Sequence, residues 1–429
     1  MSASTATRVR ENAGSSVTRA VQRITEGPLG AYQSAVVRIG ISATCLLFLL
    51  RELPHRRELY GPDGPWSWDM ARGLLSNNGG FTVLMWSDST VWFEFVYALT
   101  LVSAGLLMVG WRTRLTSVLF MTGVLSLQNR SIFMGDGGDN VIHLMAIYLV
   151  LTRCARVWSL DARRAARQAA LLAEGLRPPR DVTGPLLWGV LGAVLLPATL
   201  MGGLGGTWWL PAVLWVLWLG NGAWWALSRR APEHELRTLL DVLANLAHNI
   251  ALLVIMAEVC LIYATAGWYK IQGTRWQDGT AIYYPLKLDY FAPWPGLSGL
   301  VASSALIVMV MTYATVIVQV AFPFTLFNRR VKNVLLVLMI GEHAGIAVLL
   351  GLPFFSMAMI AADAVFLPTV FLVWLGRAVT LGRRQLFSRA SKGGRASKPR
   401  RVVPAQRGPA VGEGEAPRGG GGTGHTLVG

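Results

Sequence analysis

The stretch that decides the fold is Glu258–Pro295, EVCLIYATAGWYKIQGTRWQDGTAIYYPLKLDYFAPWP. It opens inside the apolar run Val242–Tyr269, which is long enough to cross a bilayer as a helix. Lys270 is the first positive charge after that run, and a loop rich in Trp and Tyr follows it. An amine shielded from water against an apolar wall gives up its proton more readily and serves as a base or nucleophile. A lysine at a helix end also snorkels to the membrane surface with no chemical task. Both readings of Lys270 stand at this point.

Composition agrees with a chain built for a bilayer. Of its 429 residues, 53% are hydrophobic and only 14% are charged, where soluble domains carry roughly 25% charged residues. The formal net charge is +16. In a soluble chain that surplus would suggest nucleic acid. The basic residues here flank apolar runs, so they read as orientation signals, and no nucleic-acid partner is expected. Cys45, Cys154 and Cys260 lie far apart, in or beside apolar runs. They form neither a metal spacing nor a disulfide framework, and no metal is expected.

Outward from Lys270 the apolar runs repeat. They are Ala31–Leu50, Thr90–Gly110, Gly184–Gly203, Trp208–Leu227, Val242–Tyr269, Val301–Phe327, Val334–Leu352 and Phe354–Gly376, with two shorter ones, Leu115–Leu127 and Val141–Thr152. The short pair predicts broken, tilted or re-entrant spans, and non-helical backbone at depth is tolerated only around a protein-lined cavity. The predicted fold is all-α: a polytopic membrane helix bundle of eight to ten spans. Residues 1–30 read as a basic, mobile cytoplasmic leader with some amphipathic helix, 31–376 as the transmembrane domain, and 377–429 as a disordered basic tail. With ten spans and a cytoplasmic N-terminus, 30 of the 39 Lys and Arg fall on the inside, as the positive-inside rule requires. Both termini are then cytoplasmic in a multi-pass protein of the cell membrane. Lys270, the segment Gly137–His143 and Glu94 all fall at the outer ends of their spans.

Several ionisable residues are candidates for chemistry. Asp139 and His143 are spaced i, i+4, so on a helix they share a face and the carboxylate can orient the imidazole. A capping aspartate and an interfacial histidine would look the same. Glu258, Glu342, His343 and Asp363 lie inside apolar runs, where an ionisable group is costly and functional by default. Glu258 and His343 are expected near mid-depth, able to pair, with Arg38 as a further partner; Glu258 and Asp363 read more readily as polar locks between helices. Trp276, Tyr283, Tyr284, Tyr290, Phe291 and Trp294 form either an interface belt or an aromatic mouth suited to a quinone or lipid.

The residues of the opening stretch also carry a family resemblance. Tyr263, Ala266, Gly267 and Lys270, followed by Trp276, Gly279 and Tyr283, resemble the signature of the HTTM family. That is the horizontally transferred transmembrane domain related to vitamin K-dependent gamma-carboxylase. Asn129-Arg130 leading to Gly137-Gly138-Asp139, then Trp158–Asp161, then His343 ahead of Phe354–Asp363 follow the family's order. The likeness covers most of residues 31–376. It implies a bacterial-type membrane protein in which Lys270 is the base that deprotonates a reduced quinone. In the carboxylase, oxygen then turns the quinol anion into a strong base that removes a glutamate γ-proton, and carbon dioxide adds. His343, Asp139 and His143 join Lys270 as expected catalytic residues, and Trp276, Tyr283, Tyr263 and Glu258 as expected substrate or cofactor contacts. The carboxylase continues into a strand-rich luminal domain that holds its protein substrate, where this chain has a basic tail. The leading expectation is therefore a membrane enzyme acting on a quinone or another lipid-soluble substrate at the outer face. A non-enzymatic maturation or immunity partner of a secreted peptide, and a small-molecule transporter, are the alternatives.

Overall fold

A computed structural model describes residues 18–19, 21–204 and 208–393, with side chains to residue 382. Every regular element among them is helical. The principal helices in chain order are α1 (Ala31–Glu52), α2 (Thr90–Val109), α3 (Thr113–Arg130), α4 (Gly137–Leu151), α5 (Leu160–Ala173), α6 (Thr183–Leu200), α7 (Trp209–Arg230), α8 (Glu235–Gln272), α9 (Ala305–Ala321), α10 (Arg329–Leu349), α11 (Pro353–Asp363) and α12 (Thr369–Gly393). Among the described residues, seven helices are long and apolar enough to cross a membrane, and eight when the bent pair at the C-terminal end is taken as one. The chain divides into two units, Met1–Leu375 and Gly376–Gly429. The first is described below. The tail expected at 377–429 begins within α12 and otherwise lies outside the described residues, as does most of the leader.

Local chemistry sets the helix ends. Ser89 caps α2 by accepting from Val91 N–H, and Gly110 closes it in the left-handed region at φ 72°. Asp136 and Asp139 form a reciprocal capping box that starts α4. Asn328 accepts from the N–H groups of Arg330 and Val331 to start α10.

Helix α1 is the hub. Ala35, Val37, Arg38 and Ile41 are fully buried, and α1 packs against α2, α4 and α11. A Cβ at Gly40 would collide with Ala361, so only glycine lets α1 and α11 come this close. Arg38 lies in this core. It donates to the carbonyls of Leu107, Met108, Cys154 and Trp158, satisfying the C-terminal end of α2 and the loop before α5. Its partners are carbonyls, where sequence reasoning offered it to Glu258 or His343.

Helices α6 and α7 pair through a reciprocal lock. The rings of Trp188 and Trp218 stack at 4.1 Å and 8°, and each indole N–H donates to the other residue's carbonyl at 2.9 Å. One turn further along, a Cβ at Gly192 or Gly222 would stand 2.5 or 2.7 Å from the opposing indole. The other faces of these helices are exposed and apolar, suited to lipid.

Four boundaries differ from the sequence expectation. The short run at 115–127 is part of an 18-residue helix, α3, and the run at 141–152 part of a 15-residue helix, α4. The expected loop Ser228–Asp241 shrinks to residues 231–234, because α8 begins at Glu235. The expected single span Phe354–Gly376 is broken, and the helix from Thr369 turns by 117° from Pro353–Phe366. Pro368 is the cause: it lacks an N–H and holds Leu367 extended at ψ 137°. The leader is tied down from Ile24 onward. Asn245 and Asn249 on α8 donate to the carbonyls of Thr25 and Ile24, and His248 Nε2 donates to Leu29 O at 2.7 Å.

Candidate functional site

Tyr263, Gly267 and Lys270 fall at i, i+4 and i+7 on α8 and so share one face. At Gly267 a Cβ would stand 2.6 Å from Val320 Cγ2, so α9 comes as near to α8 as glycine permits. That approach places Gln319 beside the lysine. Lys270 Nζ donates to Gln319 Oε1 at 2.8 Å, and Gln319 Nε2 donates to Glu342 Oε1 of α10 at 2.6 Å. Trp276, just beyond the end of α8, lays its ring 5.2 Å from the same ammonium. Lys270 and Glu342 are both half-buried.

One residue along α10 and two turns back along α8 lies a second, fully buried cluster. The Tyr263 hydroxyl is 2.9 and 3.0 Å from the two Asp363 carboxylate oxygens and 3.0 Å from His343 Nε2. Tyr263, His343 and Asp363 are at most 2% exposed. A phenol has one proton to give. With that proton on the carboxylate side, Nε2–H donates to the phenol oxygen, and the Nδ1 lone pair of His343 remains. Nδ1 is buried and has no partner. The His343 ring packs edge-on to Phe355 at 5.5 Å.

Phe355 connects this cluster to the region of Asp139. Two narrow clefts adjoin there, sharing Phe48, Asp139 and Ile142. The first is lined mainly by apolar side chains from α1, α3 and α4, with Tyr60, Gln128, Ser131 and Asp139 as its polar residues. The second reaches Arg51 and Phe355.

The structure thus unites some of the expected residues and separates others. Lys270 and Trp276 meet, as do Tyr263, His343 and Asp363. Asp139 and His143 do not pair. The Asp139 carboxylate accepts from Asp136 N–H at 2.8 Å, while His143 Nδ1 faces Gln128 Oε1 at 2.9 Å. The capping role takes the carboxylate away from the imidazole. Glu258 pairs with neither His343 nor Arg38; it accepts from the Tyr148 hydroxyl at 3.2 Å. Tyr283 lies edge-on to Tyr284 at 5.8 Å and near Lys287, and Tyr290 is 87% exposed, so the aromatic loop is largely a surface belt. Sequence reasoning missed Gln319. Its signal was present, since it is a polar side chain within the apolar run Ala305–Ala321. Among the described residues no cluster of His, Cys, Asp and Glu is placed to hold a metal.

Fold and site together define a polytopic helical bundle whose apolar interior holds a lysine–amide–carboxylate array and a tyrosine–histidine–aspartate cluster. No protein-family model, curated protein or solved structure matches the chain.

Proposed function

We propose that the chain is a membrane protein of the HTTM kind whose Lys270 deprotonates a lipid-soluble quinol at the outer face of the bilayer. The observation that carries this reading is the set of partners around the amine. Nζ is held by the neutral carbonyl of Gln319, and the carboxylate of Glu342 stands one hydrogen bond further away. An amine locked directly to a carboxylate would stay an ammonium; one held through an amide is stabilised as a cation after it takes a proton, without being fixed as one before.

In the proposed step the quinol O–H bond breaks, an N–H bond forms on Nζ, and a quinolate is left; no electrons change hands. Glu342, acting through Gln319, and the face of Trp276 stabilise the ammonium that results. His343 Nδ1 supplies a buried acceptor without a partner, at the end of a chain that runs through Tyr263 to Asp363. A ligand hydroxyl would satisfy it.

The test is optical. Anaerobic addition of a reduced naphthoquinone to the purified full-length protein is expected to raise the quinolate absorption band. Lys270→Met, with unchanged folding, is expected to abolish that band. An equal band from both proteins removes Lys270 from the role of base. Purification with a bound peptide and no quinone would instead favour a membrane partner of a secreted peptide.

A further inference from the structure

The buried arginine at the end of α3 has a use that neither cluster above explains. Arg130 is 1% exposed. Its Nη2 donates to the carbonyls of Gly61 and Trp66, both at 2.9 Å. Its Nη1 is buried and has no partner, and among the described residues Arg130 takes part in no ion pair. A guanidinium removed from water without a counter-charge is among the costliest arrangements in a protein interior.

Two further donors nearby share this condition. Ser131, next in the chain and 2% exposed, has an unpaired buried hydroxyl, and the indole Nε1 of Trp66 is also buried and unpaired. Trp66 is fixed in place, its ring edge-on to Phe133 at 4.9 Å and its carbonyl on Arg130. The turn that carries it is tight, since a Cβ at Gly61 or Gly64 would strike the carbonyl of Arg57 or Glu58. All three unsatisfied groups can donate, and Arg130 and Trp66 can only donate. Deficits of one sign in one knot of residues call for an acceptor. A water could accept only two hydrogen bonds and would leave the charge uncompensated. Ser131 also lines the first of the two clefts, so that cleft borders this knot of residues. The cleft's one carboxylate, Asp139, already has Oδ2 engaged by Asp136 N–H.

We propose that Arg130, Ser131 and Trp66 form a binding site for an oxyanion, the phosphate of a lipid headgroup or a free phosphate. The site does not depend on the reading of Lys270. The full-length protein in neutral detergent is titrated with inorganic phosphate, and separately with phosphatidylglycerol against phosphatidylcholine in mixed micelles, while Tm is followed. Wild-type Tm is expected to rise with phosphate, with phosphatidylglycerol, or with both. A response to phosphatidylglycerol alone assigns a lipid headgroup, and a response to inorganic phosphate assigns the free ion. The double variant S131A/W66F removes two donors and keeps an aromatic ring, smaller than the indole, against Phe133. It is expected to need about tenfold more ligand or higher for the same shift. Arg130→Gln is expected to abolish the response; should it fail to fold, the double variant decides. Equal responses from wild type and double variant overturn the proposal, as does a wild type that responds to neither ligand.

Discussion

Lys270 reaches Glu342 only through Gln319: the amine donates to the amide oxygen at 2.8 Å, and the amide nitrogen donates to the carboxylate at 2.6 Å. One neutral side chain therefore separates a base from its counter-charge across three helices. Replacing it with a carboxylate removes that separation. Gln319→Glu is expected to keep or raise Tm while cutting quinolate formation at least tenfold, because a direct ion pair holds the amine protonated. Gln319→Leu, which orphans both neighbours, is expected to lower stability by about 1–3 kcal/mol. Thermal unfolding and quinolate absorbance on the same samples check both outcomes.

Tyr263 holds two buried groups with one hydroxyl. Tyr263→Phe leaves the shape intact and removes every partner that Asp363 and His343 Nε2 share. The expected loss is about 3 kcal/mol, at the upper end for an orphaned buried polar group. A Tyr263→Phe/Asp363→Leu double variant is expected to recover part of that loss, because the uncompensated carboxylate goes with its partner. Chemical denaturation in detergent measures the non-additivity.

The lock between α6 and α7 depends on space as well as on stacking. At Gly192 an added Cβ would stand 2.5 Å from the rigid indole of Trp218, which has no flexible end to yield. Gly192→Ala is expected to destabilise the pair by about 1–3 kcal/mol, the usual range for overpacking. The damage should be local, appearing as faster hydrogen exchange in α6 and α7 with protection in α1 unchanged.

Outside the spans, the Arg112 guanidinium binds both carboxylate oxygens of Asp181 and holds that acid down at about 2. The ordinary value is about 3.9. A carboxyl depressed on folding adds stability that is complete above its unfolded value and disappears as pH falls through the folded one. The Tm difference between wild type and Asp181→Asn is therefore expected to be constant from neutral pH to about pH 5, and to close between about pH 4 and 2. A difference that persists at pH 2, or that changes near neutrality, would count against this pair as its source.

Much of the architecture was legible because a bilayer demands long apolar helices and allows few alternatives. Apolar runs by themselves placed most of the helices. One misjudged boundary had a visible cause in Pro368, whose effect on Leu367 turns a single run into two helices. The i, i+7 spacing of Tyr263 and Lys270 was there to be read, and the unbroken helix α8 puts both on one face. The paired spacing of Trp188 with Gly192 and Trp218 with Gly222 was equally available, but only their stacking gave it meaning.

The sequence by itself determined that this chain is an all-helical bundle with apolar spans, and that a few ionisable side chains lie among them. Both properties depend on local composition and on solvation, which act residue by residue. Only the tertiary structure decided which of those side chains meet. Asp139 turned to a cap and left His143, Glu258 went to Tyr148, and Arg38 went to carbonyls. Gln319, absent from the expected set, became the link between Lys270 and Glu342. The physical reason is that a hydrogen bond requires atoms within about 3 Å. Contacts of that length between residues 49 or 100 positions apart, such as Lys270 with Gln319 and Tyr263 with Asp363, are set by how closely helices approach. That approach is decided by single atoms, such as the missing Cβ of Gly267 against Val320.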